Sequence, residues 1–148
     1  NTGVTGVVNS WLPSNGFIKR DTRFLNPDPY TTVTVPSTAN YIMCVGAFDP
    51  STKTVYSTSG RGPTRKEIVL PSFVAPSDGS TSVATAVNGG ATALMLEWGL
   101  NRINNLNINS LAILEYITRS ATKNLEDIYP NTISGYGRLN IFNAIASI

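Results

Sequence analysis

One stretch constrains this chain more than any other: Asp78-Gly79-Ser80-Thr81-Ser82-Val83-Ala84-Thr85-Ala86-Val87-Asn88-Gly89-Gly90-Ala91-Thr92-Ala93-Leu94-Met95-Leu96-Glu97-Trp98-Gly99. It opens with small polar residues able to cap a helix. After Asp78 it carries no charge until Glu97, and Gly99 offers a stop. Small or apolar residues cover nearly every side, so the pattern predicts a helix buried all round rather than one with an apolar stripe. Gly89 and Gly90 fall mid-helix, where each costs about 1 kcal/mol relative to Ala. That cost is tolerable if the missing side chains let a neighbouring strand come close. Ser82 falls in the first turn, where unpaired N–H groups and the positive end of the helix dipole favour developing negative charge. A serine there is either a cap or a nucleophile. Asp78 is expected to cap the helix; the alternative is that it orients a base.

Around this stretch the chain alternates short apolar runs with breakers. Residues 1–8 are mostly Gly, Thr and Val and suggest a strand end. Residues 11–29 read as loop, punctuated by Pro13, Asn15-Gly16, Asn26-Pro27 and Asp28-Pro29. Lys19, Arg20, Asp21 and Arg23 read as a solvated face. Residues 30–35 alternate Thr and Val and are expected to be extended, and 36–40 form a turn. Residues 41–47 predict a buried strand containing Cys44, read as an inert buried thiol. A turn at 49–52 and a short strand at 54–57 follow. Residues 60–66 read as an exposed loop. Ile68-Val69-Leu70 and Phe73-Val74-Ala75 are extended and apolar, with Pro71 between them, which places them at an edge or bend. Beyond the central helix, residues 101–109 connect to an amphipathic helix over 110–121. Ser110 suits its cap, and Leu111, Leu114, Tyr116, Ile117 and Ala121 form its apolar face. A loop over 124–136 leads to a closing helix over 139–148. Strands followed by helices predict an α/β domain with a mostly parallel sheet and packed helices.

Composition excludes several functions. The length of 148 residues suits one domain. Eleven basic against nine acidic residues give a net charge of +2, and no basic run exceeds the pairs Lys19-Arg20 and Arg65-Lys66. Nucleic acid is therefore not expected as a partner. No apolar run approaches the length of a membrane-spanning helix, so no membrane partner is expected. A single cysteine cannot form an internal disulfide, so the redox compartment stays undetermined. There is no CxxC and no HExxH, so neither a metal nor a cofactor is expected. Gly60-Arg61-Gly62-Pro63 lacks the Lys-Ser/Thr of a phosphate loop. The start, Asn1-Thr2-Gly3-Val4-Thr5-Gly6, has neither a starting Met nor the regions of a signal peptide, which suggests a processed or excised piece.

Thr81-Ser82-Val83-Ala84 followed by Gly89-Gly90-Ala91-Thr92-Ala93-Leu94 resembles the nucleophile segment of subtilisin-like serine proteases, Gly-Thr-Ser-x-Ala and then Ala-Gly-x-x-Ala-Leu. Four flanking segments keep the family's order. Tyr41-Ile42-Met43-Cys44-Val45-Gly46-Ala47 is similar to its Val-Ile-x-Val-Gly-Ala strand. Ser57-Thr58-Ser59-Gly60-Arg61-Gly62-Pro63-Thr64 is similar to its Ser-x-Arg-Gly-Pro-Thr loop. Leu70-Pro71-Ser72-Phe73-Val74-Ala75-Pro76 is similar to Lys-Pro-Asp-Ile-Val-Ala-Pro-Gly. Gly135-Tyr136-Gly137-Arg138-Leu139-Asn140 is similar to the Gly-Tyr-Gly-x-Leu-Asn/Asp before the last helix. Ser10-Trp11-Leu12-Pro13-Ser14-Asn15-Gly16-Phe17-Ile18 and the run from Pro27 to Thr34 resemble the clostridial Csp-type, spore-germination branch. There this segment follows an inserted jelly-roll domain. The resemblance implies a partial subtilisin-like α/β domain: residues 1–32 lead in from an upstream inserted domain, and 33–148 form the C-terminal half of the protease fold. It implies Ser82 as nucleophile, Thr81 and the Ser82 N–H as oxyanion support, and a spore or extracellular setting. It also implies a cis bond at Val35–Pro36, where the family has an aromatic–Pro pair.

The departures bear on activity. The sequence has no histidine, whereas a subtilisin-type triad needs one as general base and an aspartate to orient it. The family's Asp, His and oxyanion Asn all lie upstream of the matched region. Ser80 replaces the Gly before Thr-Ser, and Ser77 replaces the Gly after Ala-Pro. The connection from Pro76 to Thr81 is shorter than in the family, through a lost loop or residues absent from the sequence. Two functions of different classes follow. The first is the nucleophile-bearing part of a serine endopeptidase, inactive alone, whose partners are a polypeptide substrate and the N-terminal half of the same domain. The second is a degenerate protease fold used for binding or regulation. A half-sheet also leads us to expect self-association.

Overall fold

Two short apolar runs form the centre of the sheet in the computed structural model, which describes residues 3, 6–13, 16–103 and 107–148. Strand β1 (Val45–Phe48) pairs in parallel with β2 (Phe73–Pro76), Val45 opposite Phe73 and Phe48 opposite Pro76. Ala47, Phe73, Val74 and Ala75 have no exposed surface, as expected of parallel strands covered on both faces. Parallel neighbours need a long crossover. Residues 49–72 supply it without a helix or a further strand. Asp49 turns the chain, its carboxylate accepting from the Ser51 N–H and hydroxyl at 2.8 and 2.6 Å.

The sheet widens beyond β2. Val74 N–H donates to the Gly137 carbonyl at 3.0 Å, and Leu139 N–H donates to the Val74 carbonyl at 2.8 Å. Arg138 and Thr122 then exchange two backbone hydrogen bonds in an antiparallel bridge. The layer is thus parallel at its centre, with antiparallel bridges at Phe48–Val55 on one side and Thr122–Arg138 on the other, which agrees with the mostly parallel α/β reading. Helix α1 (Thr81–Glu97) crosses it. Near its start Ala84 packs on Ala47 and Ala75; three methyl side chains let the first turn lie close to the strands. Farther on, Met95 joins Phe73 in the main core with Ile113 and Ile117 of α2 (Ser110–Ser120) and Ala144 of α3 (Ile141–Ala146).

Several sequence expectations are corrected. Helix α1 is not buried all round: its buried residues are Ala84, Asn88, Ala91 and Met95. Val83, Val87, Leu94 and Trp98 are exposed, Leu94 at 57%. Gly89 and Gly90 do not admit a strand, since a Cβ at either would meet nothing within 4 Å. Nor does Gly99 stop the helix. The chain continues as a π-helical turn, Trp98–Arg102, in which a Cβ on Gly99 would lie 2.5 Å from Ile108 Cδ1. The predicted strand over 41–47 is shorter and shifted, because Tyr41 has φ 64°, off the β region. Residues 54–57 make only the single Phe48–Val55 bridge. Asn109, not Ser110, caps α2, its carboxamide oxygen accepting from the Leu111 and Ala112 N–H groups. Ile113 rather than Leu111 faces the core; Leu111 is half-exposed. The closing helix is confined to Ile141–Ala146. Among the described residues of 1–35 there is no strand. Asn1, Thr2, Val4 and Thr5 of the expected N-terminal strand end lie outside the described residues, as do Ser14 and Asn15 of the lead-in. The Val35–Pro36 bond is cis.

Candidate nucleophile site

The turn from β2 into α1 builds the site. Four residues make it, and Gly79 at its centre has φ 113°, a conformation that disfavours a side chain. Ser77 organises the turn: its hydroxyl donates to the Ser80 carbonyl at 2.5 Å and accepts from the Gly79 N–H at 3.2 Å. Asp78 Oδ1 accepts from the Ser80 N–H at 3.3 Å. The crossover pins the turn from outside. Tyr56 donates its phenolic hydrogen to the Ser77 carbonyl at 3.3 Å, and Thr58 donates its hydroxyl to the Gly79 carbonyl at 3.1 Å. Burial raises the Tyr56 phenol above its ordinary value, reinforced by the charges of Asp49 and Asp78. The phenol therefore stays protonated at neutral pH and supplies no base.

Asp78 does not cap α1. Ser80 is the N-cap, its Oγ accepting from the Ser82 N–H at 3.2 Å. The Ser80-Thr81-Ser82 run at a helix start carries that signal in the sequence, but Asp78 competes with it, being an equally good cap residue. Asp78 instead caps the preceding turn. Ser82 lies exposed in the first turn of α1, and its Oγ has no hydrogen-bond partner among the described residues. The Ser82 N–H, one of the two expected oxyanion donors, is engaged by Ser80. Thr81 is exposed, and its carbonyl accepts from the Thr85 hydroxyl at 2.8 Å.

Thr81 also lines a cavity of about 550 Å³, together with the hydroxyl-bearing residues Thr32, Thr34, Ser37 and Thr58. Cys44 lines the same cavity. Burial pushes its thiol up, and a hydrogen bond from Ser37 opposes the shift only in part. Among the described residues no cluster of His, Cys, Asp or Glu could hold a metal ion. No helix of the described residues is long and apolar enough to cross a membrane. The site therefore offers an exposed serine hydroxyl in the first turn of a helix, with no hydrogen-bond partner among the described residues, and an uncharged cavity beside its neighbour Thr81.

No protein-family model and no curated protein sequence matches the chain. Solved structures do. The Clostridium perfringens CspB protease superposes with a TM-score of 0.81 and 28% identity over 87% of this chain. The chain has the fold of the subtilisin-like proteases. It spans 31% of the CspB chain, so it corresponds to a minor part of that protein. The prenylagaramide maturation protease PagA matches with a TM-score of 0.60 and 24% identity over 80% of this chain and 46% of its own. The patellamide maturation protease PatA gives 0.63 and 20% over 80% and 47%; these two matches carry the fold alone. What the subtilisin-like fold brings together here is the end of β2, the turn at 77–80 and the first turn of α1, with residues 55–58 bracing them.

Proposed function

We propose that this chain is the nucleophile-bearing C-terminal portion of a subtilisin-like serine endopeptidase, with Ser82 as nucleophile and Thr81 supporting the oxyanion. The observation that carries this reading is the position of Ser82, exposed in the first turn of α1 directly after a buried parallel strand. In the reaction Ser82 Oγ attacks the peptide carbonyl carbon, and its proton passes to a general base and on to the leaving amine as the C–N bond breaks. Water then hydrolyses the acyl-enzyme. The base and its orienting aspartate come from residues outside this chain. In this reading residues 1–32 lead in from an upstream inserted domain, and the N-terminal half of the protease domain covers the exposed side of α1. The chain alone is inactive. A fluorophosphonate probe should leave the 148-residue chain unlabelled and should label Ser82 in the full-length translation product. Labelling of the isolated chain would show that it holds its own base.

A second reading has a specific observation behind it. Ser80, where the resembling proteases have glycine, holds the N–H that would otherwise serve the oxyanion. A degenerate protease fold acting in binding or regulation would retain such a cap without loss. If the full-length product carries upstream Asp and His yet takes no label, and Ser80→Gly does not restore labelling, this second reading replaces the first.

A further inference from the structure

A second cavity, of about 450 Å³, lies between the lead-in segment and the loop at 63–68. Trp11, Val35, Pro63 and Ile68 give it apolar walls, and Arg65 and Lys66 stand on the same wall. Trp11 is held in place by its indole N–H, which donates to the Thr31 carbonyl at 3.1 Å. No carboxylate lines the cavity; Glu67 adjoins the two cations in sequence but is not part of the wall. The ion pairs of the described residues are Arg102–Glu97 and Arg119–Glu115, so neither Arg65 nor Lys66 is neutralised within them. The cavity thus joins an aromatic and aliphatic surface to two uncompensated positive charges, within the size range of specific ligand sites.

The residues of this wall also carry unpaired main-chain donors. The N–H groups of Val33, Thr34 and Val35 have no acceptor among the described residues, and all three residues line the cavity. Val33 and Thr34 line the hydroxyl-rich cavity beside Thr81 as well, so the two spaces adjoin. Free main-chain donors beside an apolar trough suit an extended peptide, which supplies carbonyls at strand spacing and alternate side chains to pockets.

We infer that this cavity is an anchoring site for an extended polypeptide segment that presents apolar side chains next to carboxylates. The apolar side chain sits against Trp11 and Val35, and the carboxylate faces Arg65 and Lys66. The site makes no use of Ser82, so binding there stands or falls separately from the endopeptidase reading.

Trp11 reports occupancy directly. The chain has two tryptophans, and a Trp98→Phe background leaves Trp11 as the sole emitter. Titration with the capped peptide Gly-Leu-Glu-Leu-Glu-Gly should change Trp11 emission saturably and weaken as salt is raised. The charge-swapped peptide Gly-Leu-Lys-Leu-Lys-Gly and the truncated Gly-Ala-Glu-Ala-Glu-Gly should bind far more weakly. Reversing both cations, Arg65→Glu with Lys66→Glu, should weaken the Glu-containing Leu peptide by roughly tenfold or more. The neutral pair Arg65→Gln with Lys66→Gln should give a smaller loss in the same direction, and it serves if the reversed pair fails to fold. Reversing Lys123, which sits over the Tyr129 ring instead, should change nothing. Equal binding of the Lys-containing peptide, or no effect of either double variant, would overturn the inference. Displacement of the peptide by decanoate but not by acetate would also overturn it, by showing that a small amphipathic carboxylate is the occupant.

Discussion

Ser80 shows how one side chain can satisfy a helix start. Its hydroxyl satisfies the Ser82 N–H, one of the first-turn donors that a helix leaves unpaired. Replacing Ser80 by Ala should destabilise the chain by about 1 kcal/mol, and replacing it by Gly by only a few tenths. Urea titrations of the two variants check this; an Ala variant as stable as the parent would show that the cap contributes nothing. Cys44 gives a second expectation at this scale. Burial favours its neutral thiol in the folded chain. That contribution to stability is fully present below the ordinary thiol value and is lost as pH rises through the raised folded one. Below that window the native chain should react with a thiol reagent much more slowly than the urea-unfolded chain. Equal rates would mean that the thiol is open to solvent.

At the scale of elements, glycines with the same letter have opposite roles. Gly89 and Gly90 face open space on a regular helix, so Ala at either should stabilise by about 0.5–1 kcal/mol through reduced freedom of the unfolded chain. Gly135 differs. It has φ 58°, and a Cβ there would collide with the carbonyl oxygens of Pro71 and Ser72, which are backbone and cannot swing aside. Its neighbours Tyr136 and Gly137 bond to the backbone of Ser72 and Val74, so the clash cannot be relieved without parting the sheet. Gly135→Ala should cost about 2 kcal/mol or more. Thermal or urea unfolding of the three variants separates these cases; a stable Gly135→Ala chain would mean that this sheet edge is loose.

For the whole molecule, the exposed face of α1 and of the π-helical turn that continues it dominates. Val83, Val87, Leu94 and Trp98 recur at helical spacing along one side and remain open. An exposed apolar stripe of this kind marks an interaction site or an association hazard. The isolated chain is therefore expected to self-associate and to bind an apolar dye. Leu94→Lys with Trp98→Lys should shift it toward monomer in sedimentation while leaving its helical content in place, because neither side chain belongs to the core. A parent chain that is strictly monomeric at high concentration and binds no dye would count against this.

Features whose signals are local, or whose motifs follow one another in order along the chain, could be read from the amino-acid order. The Thr81-Ser82-Val83-Ala84 start of α1, the buried run of β2 before it, the α/β class and the subtilisin-like arrangement were all legible. Periodicity and short-range hydrogen bonding specify such features within a few residues. Features that depend on distant partners emerged only once the chain was folded. An uncharged helix reads as buried on every side, yet which face is covered depends on where β1, β2 and the other helices lie. Gly89, Gly99 and Gly135 are alike in sequence and differ only in what stands across from them. Ser80 and Asp78 are comparable cap residues, and the braces from Tyr56 and Thr58 help set the turn in which Ser80 faces the Ser82 N–H. The cavity at Trp11 was hidden for the same reason: Trp11, residues 31–40 and the loop at 63–68 are well separated along the chain and meet only when it folds.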